Sequence, residues 1–256
     1  MIGNSRLHWA WFIGESLQSA WDSAYLSAGA IQTAQSQSIS DVVPNLPPSL
    51  VTKIPTDSFG RLPVYLASVV PAQTTIWQEA YANLHIIKLD TIPIQQMYPT
   101  FGIDRALALW GAGETWGFPM LVIDAGTALT FTGANGDRTL VGGAILPGMS
   151  LQFQSLGNRT AALPHISIER VSIPPRWATN TPESIQSGII YTLIAAIQDY
   201  VRAWLQEFPE SGIVLTGGDR ILLYNYLQSQ HPDLAAKIIS DANLIFRGCR
   251  YYWQNQ

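Results

Sequence analysis

The chain has 256 residues, 47% of them hydrophobic and 12% charged, which excludes long disordered segments and allows one large or two modest globular domains. Its formal net charge of −4, without a basic run, excludes nucleic-acid binding through a basic surface. A lone cysteine, Cys249, excludes an intramolecular disulfide, and no signal peptide or bilayer-spanning apolar segment is recognisable. We therefore expect a cytoplasmic protein that binds neither nucleic acid nor membrane.

The first part of the chain predicts a pair of strands. It is followed by a segment whose sequence indicates no regular helix or strand. Residues 7–13 form a short apolar run rich in aromatics, and residues 16–23 follow after Gly14-Glu15. This arrangement predicts two antiparallel strands. Residues 31–60 are rich in Gln, Ser and Pro, and we expect them to be partly loop.

The next elements predict a parallel sheet. Residues 62–70 have the pattern of a buried strand, 74–84 that of a helix and 85–90 that of a second strand. Strand, helix and strand in this order indicate a parallel βαβ unit. A helix over 102–117 and a strand over 118–126 follow.

The second half predicts a hairpin and then alternating helices and strands. Residues 128–134 and 138–146 are strands joined by Asn135-Gly136-Asp137, the strongest hairpin signal in the chain. Apolar side chains at helical spacing predict a helix over 183–205, with Thr181 as its cap and Pro182 at its first position. The other predicted elements are a helix over 150–163, a strand over 211–219, a helix over 220–230, and a strand followed by a helix start over 237–246.

One carboxylate, Asp124, ends an apolar strand and is followed by Ala125-Gly126-Thr127. A turn of small residues exposes backbone N–H groups, and a hydroxyl adds a donor, so that phosphate oxygens can bind there. A neighbouring carboxylate can hold a cation or a metal-bound water. The alternative is a tight turn in which Asp124 accepts hydrogen bonds from nearby N–H groups, and these residues alone leave both interpretations open.

A similar turn, Gly3-Asn4-Ser5, precedes the first predicted strand pair. Both halves of the chain thus pair a glycine and hydroxyl turn with a hairpin. This repetition predicts two related α/β lobes, residues 1–116 and 117–256.

Several other kinds of site are disfavoured. The chain has no G-x-x-x-x-G-K-[ST], no G-x-S-x-G and no H-E-x-x-H, and its four histidines are scattered. The glycines at 111, 113 and 117 follow a predicted helix and have the wrong spacing for a dinucleotide fingerprint. Asp104 and Arg105 lie at a predicted helix start, where the simplest role for Asp104 is to complement the helix dipole.

Seven motifs occur in a specific order along the chain. They are Gly3-Asn4-Ser5, Gly102-Ile103-Asp104-Arg105, Asp124 to Ala128, Gly142 to Gly148, Thr160 to Pro164, Asn180-Thr181 with Ser187-Gly188, and Leu215-Thr216-Gly217-Gly218. Together they resemble type III pantothenate kinase, a family that shares its fold with acetate and sugar kinases, actin and heat-shock chaperone ATPases. The resemblance implies an α/β protein with two ribonuclease-H-like lobes and a nucleotide cleft between them.

The resemblance also implies an activity. It is transfer of the γ-phosphoryl group of ATP, with Mg²⁺, to the primary hydroxyl of pantothenate, the opening step of coenzyme A synthesis. A homodimer and a monovalent cation, K⁺ or NH₄⁺, are implied as well. By the same resemblance Asp104 is the catalytic base and Asp124 the cation ligand. The substrate-binding residues are Gly102, Ile103, Asp104, Arg105 and Thr181, and the ATP-binding residues are Gly3, Asn4, Ser5, Gly126, Thr127, Gly217 and Gly218.

The chain departs from the family pattern in four places. Met1 stands where the first phosphate turn of the family has an aspartate, and Ser5 replaces its threonine. His8 stands where many relatives have a lysine, and Gln95 replaces a tyrosine that contacts the substrate. Tyr98 is the candidate to substitute for that tyrosine. The loss of the aspartate keeps two alternatives open, a catalytically weak member with a regulatory or accessory role and a small-molecule-binding protein without phosphotransfer.

Overall fold

The computed structural model describes most of the chain and divides it into two compact units. Unit 1 comprises residues 1–93, 98–111 and 245–256, and unit 2 comprises residues 94–97 and 112–244. The described residues are 1–36, 43–51, 62–159, 164 and 173–255.

Unit 1 begins with the predicted pair of strands. β1 (Leu7–Ile13) pairs antiparallel with β2 (Ser16–Ser23), as the sequence predicted. Gly14, in the turn between them, has a φ of +54°, a conformation that glycine adopts without strain. Two helices follow in the segment that the sequence left unassigned, α1 (Ala28–Ser36) and α2 (Pro48–Val51).

The predicted βαβ unit is confirmed in unit 1. β3 (Val64–Leu66) pairs parallel with β4 (Leu84–Ile86), and α3 (Pro71–Ala80) connects them. Pro71 at the start of α3 needs no N–H partner there, which suits proline to a first turn. The predicted helix over 102–117 is α4 (Ile103–Trp116), and the division between the two units falls within it.

The C-terminal helix, α9 (Leu244–Gln254), belongs to unit 1 from Ile245 onward. The ring of Tyr252 lies 6.5 Å from that of Tyr65, and the ring of Tyr251 lies 6.2 Å from that of Trp110. A Cβ on Gly248 would overlap the backbone of Leu107, so glycine permits this close approach. The sequence suggested one division at 116/117. The observed units divide after residue 111, unit 2 also includes residues 94–97, and unit 1 also includes residues 245–256.

Unit 2 contains one five-stranded sheet in the order β7-β6-β5-β8-β9, with β6 antiparallel to both β5 and β7 and with β5, β8 and β9 parallel. The third, second, first, fourth and fifth strands of the unit are thus neighbours in that order, which is the arrangement of a ribonuclease-H-like sheet. The strands are β5 (Met120–Ala125), β6 (Ala128–Ala134), β7 (Leu140–Pro147), β8 (Gly212–Thr216) and β9 (Ile238–Ser240). The helices are α5 (Met149–Arg159), α6 (Thr181–Glu207), α7 (Arg220–Gln230) and α8 (Pro232–Ala235).

The core of unit 2 lies between the sheet and α6. Ile189, Leu193 and Ile197 recur along one face of α6 and share a buried cluster with Leu121 and Ile123 of β5. Each such side chain contributes about 1.5–3 kcal/mol on full burial. Over the described ranges, no helix combines the length and apolarity needed to span a bilayer.

Two local predictions in unit 2 have different outcomes. The hairpin at Asn135-Gly136-Asp137 is confirmed, with Asn135 Oδ1 accepting hydrogen bonds from the N–H groups of Asp137 and Thr139. The prediction that Thr181 caps α6 is wrong, because the Oδ1 atom of Asn180 accepts the bond from the Glu183 N–H. Asn180 has the extended backbone of an N-cap, while Thr181 is already helical.

Candidate active site

The segment Gly102 to Arg105 forms the first turn of α4, with Asp104 close to the helix N-terminus. The Oδ1 atom of Asp104 accepts a 2.8 Å hydrogen bond from the Arg105 N–H. A Cβ on Gly102 would overlap this oxygen, so only glycine leaves room for the carboxylate in this position. The turn therefore holds the Asp104 carboxylate in one defined orientation.

Arg105 is part of a small aromatic cluster. Its side chain is buried, its Nη1 atom donates a 3.0 Å hydrogen bond to the Tyr98 hydroxyl, and its Cζ atom lies 4.7 Å from the centre of the Phe101 ring. Tyr98 is 45% exposed, so the cluster reaches the surface at that residue. The structure thus brings together Tyr98 and Arg105, which the sequence predicted to bind substrate, and the side chain of Ile103 is buried beside Asp104 in the chain.

In unit 2, Asp124 lies at the carboxyl end of the central strand, where it pairs with Thr216 of β8. Gly217 follows with a φ of +93°, and a Cβ on it would stand 2.5 Å from the Oδ1 atom of Asp124. A Cβ on Gly126 would stand 3.5 Å from the same oxygen. The predicted residues Asp124, Gly126 and Gly217 therefore meet at one edge of the sheet.

Thr127 and Gly148 close the turn that follows β5. The Gly148 N–H donates a 2.9 Å hydrogen bond to the Thr127 carbonyl, and a Cβ on Gly148 would overlap the carbonyls of both Gly126 and Thr127. The turn thus packs directly against the start of α5, while Thr127 itself is exposed. Its hydroxyl is available to a ligand such as a phosphate group.

Sequence reasoning missed a second carboxylate at this edge, Asp219. Its N–H donates a 2.9 Å hydrogen bond to the carbonyl of Ala125, directly after Asp124. Burial raises the pKa of the Asp219 carboxyl above its ordinary value. The available signal was an acid directly after Gly217-Gly218 at a predicted helix start.

The carboxylate oxygens of Asp124 and Asp219 are the candidate ligands for a divalent metal at this edge of the sheet. Within the described ranges, no group of three or more His, Cys, Asp or Glu side chains could hold a metal ion. Mg²⁺ commonly keeps several waters and binds one or two carboxylates together with the phosphates of a substrate. The donor chemistry of Asp124 and Asp219 fits that mode.

The Gly3 turn in unit 1 has the same pattern of strand bridges and backbone hydrogen bonds as the Gly126 turn in unit 2. Ile2 forms an antiparallel bridge to Leu7 and a parallel bridge to Ser68, much as the end of β5 lies between an antiparallel and a parallel strand. Ile2 is therefore the counterpart of Ala125, and Met1 the counterpart of Asp124. The matching hydrogen bonds are Gly3 N to Arg6 O and Val69 N to Ile2 O in unit 1, and Gly126 N to Ala128 O and Asp219 N to Ala125 O in unit 2.

A histidine and a carboxylate flank the Gly3 turn. His8 Nδ1 lies 2.7 Å from Asp22 Oδ1, and because a carboxylate accepts, this nitrogen donates. A Cβ on Gly3 would stand 3.0 Å from the Nε2 atom of His8, so the ring packs against the turn. Arg6 Nη1 donates a 3.3 Å bond to the other oxygen of Asp22. The first turn thus has basic side chains beside it but no acid at Met1.

Thr181 lies on another part of unit 2. It is exposed and lines an open pocket of about 620 Å³ together with Asn180, Ser184 and Gly188. None of the described residues of the Asp124 turn lines this pocket. Of the motif at Thr160 to Pro164, residues 160–163 lie outside the described residues.

Gln95, which replaces a tyrosine of the family pattern, forms hydrogen bonds with the β6-β7 hairpin of unit 2. Its N–H donates to the carbonyl of Arg138 at 2.9 Å, and its Nε2 atom donates to the carbonyl of Asp137 at 3.2 Å. Its amide therefore supports the β6-β7 turn.

A five-stranded sheet in ribonuclease-H-like order, whose central strand ends in an acidic, glycine-rich turn, gives unit 2 the α/β fold class that the sequence predicted. Comparison with known proteins narrows this class. A family model described as type III pantothenate kinase matches residues 2–203. The chain belongs to the type III pantothenate kinase family.

Individual relatives agree with this assignment. The chain is 55% identical to a type III pantothenate kinase of Nostoc sp. (strain PCC 7120), over 96% of this chain and 90% of that protein. It is 43% identical to one of Synechocystis sp. (strain PCC 6803), over 97% of this chain and 86% of that protein. A crystal structure of a conserved protein assigned to the Baf family of transcriptional activators, from Campylobacter jejuni, aligns with a TM-score of 0.57 at 21% identity, over 78% of this chain and 87% of that one. At that identity the alignment supports the fold only.

Proposed function

We propose that this chain transfers the γ-phosphoryl group of ATP to the primary hydroxyl of pantothenate, the opening step of coenzyme A synthesis. The observation that carries the proposal is the family match over residues 2–203. This range contains the acids, the arginine and the threonines to which we assign the main roles. These residues are Asp104, Arg105, Asp124, Thr127 and Thr181.

Asp104 is the proposed catalytic base. One of its oxygens accepts the Arg105 N–H, which orients the carboxylate and leaves the other oxygen for the substrate hydroxyl. Arg105 is proposed to pair with the carboxylate of pantothenate, since a guanidinium binds a carboxylate through two parallel hydrogen bonds. Its contacts with Tyr98 and Phe101 hold the guanidinium in place for that role.

The turn from Asp124 to Thr127 is the proposed phosphate site. Backbone N–H groups and the Thr127 hydroxyl would bind phosphate oxygens, and Asp124 would hold a monovalent cation, K⁺ or NH₄⁺. Mg²⁺ would neutralise charge on the phosphates, and Asp219 with Asp124 could supply the carboxylates that hold it through water. Gly217-Gly218 would let the backbone approach the flat adenine face, and Gly3-Asn4-Ser5 would supply a second phosphate turn.

The reaction itself needs little covalent chemistry from the protein. The substrate hydroxyl oxygen forms a bond to the γ-phosphorus while the bond from that phosphorus to the bridging oxygen breaks and ADP leaves. Asp104 accepts the hydroxyl proton. Positioning and charge stabilisation supply most of the catalysis in such transfers.

Three further features belong to the proposal. Thr181 contacts pantothenate through its exposed hydroxyl, since Asn180 performs the helix capping. The protein acts as a homodimer, and it acts in the cytoplasm.

The test is an assay of ADP release from purified protein with ATP, Mg²⁺, K⁺ and pantothenate. Asp104→Asn should lower kcat by a factor of about 100 or more, the order expected for loss of a general base. Asn can still accept the Arg105 N–H, so the fold should persist, and Asp199→Asn on an exposed position of α6 is the matched control. Equal rates for the parent and the Asp104 variant would contradict the assignment. Replacement of K⁺ by Na⁺ should lower the rate, and an unchanged rate would remove the cation role of Asp124.

One observation favours a second candidate. Met1, the counterpart of Asp124, has no carboxylate, which motivates a catalytically weak member with a regulatory, accessory or binding role. If the parent and Asp104→Asn are both inactive while pantothenate raises the melting temperature of the parent, this candidate replaces the first.

A further inference from the structure

The open pocket of unit 2 that contains Thr181 follows one face of α6. Thr181, Ser184, Ile185 and Gly188 line it at the spacing of a single helix face, over about 10 Å of the helix axis. Leu156 of α5 lines the pocket as well. A ligand in this pocket therefore lies along the first two turns of α6.

The lining of the pocket changes from polar to apolar along the helix. Thr179 and Thr181 are exposed and offer hydroxyl groups at the start of α6. Ile185 and Ile189 lie further along and flank Gly188 with apolar side chains. Among the described residues that line the pocket there is no charged side chain. The pocket therefore suits an uncharged group in which polar atoms lie next to aliphatic carbon.

Gly188 has no structural reason to be glycine. It lies in the interior of the 27-residue helix α6, where glycine is less favourable than alanine because its backbone loses more conformational freedom on folding. A Cβ on Gly188 would have no neighbouring atom within 4 Å. Neither a special backbone conformation nor close packing therefore explains this residue.

Two other glycines inside helices show what a packing reason looks like. A Cβ on Gly113 of α4 would overlap the ring of Phe118, and a Cβ on Gly248 of α9 would overlap the backbone of Leu107. At Gly188 a side chain would instead extend into the pocket that this residue lines. The effect of glycine at this position is thus to keep the apolar end of the pocket open.

We propose that Gly188 determines substrate specificity by leaving room for the branched carbon of pantothenate, which carries two methyl groups, a role that rests on the proposed contact between Thr181 and pantothenate. The two methyl groups contact Ile185 and Ile189. The secondary hydroxyl and the amide, which follow the branched carbon in the substrate, lie towards the hydroxyl groups of Thr179 and Thr181.

The test uses two substitutions, Gly188→Ala and Gly188→Leu, both to residues that favour a helix. The measurements are the melting temperature without ligand, the Kd of pantothenate by calorimetry, and KM and kcat from ADP release. Gly29→Ala and Gly29→Leu in α1 are the matched controls. A Cβ on Gly29 also meets open space, and its carbonyl accepts a hydrogen bond from Thr33, as that of Gly188 does from Thr192.

Gly188→Ala should raise the melting temperature by about 2–4 °C, because alanine favours the helix. It should also raise the Kd and the KM for pantothenate about 5-fold or more, since a methyl group then competes with those of the substrate. Gly188→Leu should raise both constants further, and the Gly29 variants should leave both unchanged.

A substrate analogue with one methyl group instead of two separates lost space from general distortion. The parent should bind pantothenate about 4-fold more tightly than this analogue, the factor for one buried methyl group. In Gly188→Ala the preference should vanish or reverse. An unchanged preference, or a lowered melting temperature of Gly188→Ala, would contradict the assigned role.

The failure of this role and that of the proposed function give different results. If the parent binds and phosphorylates pantothenate and both Gly188 variants have the same Kd as the parent, the role of Gly188 is overturned and the proposed function stands. If the parent neither binds nor phosphorylates pantothenate, both are overturned.

Discussion

Asp124 and Gly217 face each other at the ends of two neighbouring parallel strands, with the Asp124 Oδ1 atom 2.5 Å from where a Cβ on residue 217 would stand. Gly217→Ala would overlap the backbone carbonyl of Ala125, force the Asp124 carboxylate aside and place alanine at a φ of +93°. We expect a loss of about 1–3 kcal/mol in the free energy of unfolding, measured in urea. Gly218→Ala is the matched control, because a Cβ there meets open space and should change stability by less than about 0.5 kcal/mol. Equal losses in both variants would contradict the close packing of the Asp124-Ala125 turn against Gly217.

Arg105 should not tolerate lysine. An ammonium cannot bind a carboxylate through two parallel bonds, nor stack on Phe101 as a planar guanidinium does. Arg105→Lys should raise the KM for pantothenate about 10-fold or more, equivalent to ~1.4 kcal/mol. Tyr98→Phe, which removes only the hydroxyl that accepts from Arg105, should raise it by a smaller factor. Arg202→Lys on the exposed side of α6 should leave KM unchanged, and an unchanged KM in Arg105→Lys would remove its substrate role.

The missing acid of the first turn can be restored. Met1→Asp, with a start methionine ahead of it, places a carboxylate at the counterpart position of Asp124. We expect the KM for MgATP to fall by about 3- to 10-fold, on the order of 1 kcal/mol. Met1→Asn with the same start residue is the control for size and polarity. If the two variants have the same KM, the position does not act on the metal and phosphates.

Asp219 should make stability depend on pH. Burial raises the pKa of its carboxyl in the folded protein, so the folded protein binds this proton more tightly than the unfolded chain does. Its contribution to the free energy of unfolding therefore falls as pH rises from its unfolded pKa through its folded pKa. Asp219→Asn should raise the melting temperature at pH 7 and leave it unchanged below about pH 3. Asp233→Asn, exposed in α8, should show no such difference, and an Asp219 variant that is less stable at pH 7 would contradict the reasoning.

Elements defined by short-range patterns could be predicted from the sequence. The hairpin around Asn135, the βαβ unit of residues 62–90 and the apolar face of α6 all depend on neighbours within a few positions. The same holds for the turns at Gly102 and Gly126, where the acid, the glycines and the hydroxyl are contiguous. Asn180, one residue before the predicted cap, was missed because cap identity depends on backbone dihedrals that both residues could adopt.

Other features depend on residues far apart in sequence. No local pattern places α9 with residues 65 and 107, because that placement depends on aromatic packing and on the backbone approach at Gly248. Asp219 lies at the Asp124 turn because its N–H bonds to the carbonyl of Ala125, which is 94 positions earlier in the sequence (219 − 125).

The sequence by itself determined the α/β class, the family and the contiguous turns that carry the proposed chemistry, because strand alternation, helical spacing and turn residues act over short distances. Only the tertiary structure decided that Arg105 is buried against Phe101 and bonded to Tyr98, and that Asp219 is bonded to Ala125 at the Asp124 turn. The physical reason is that burial, strand register and cavities arise from contacts between segments, and those contacts exist only once the chain has folded.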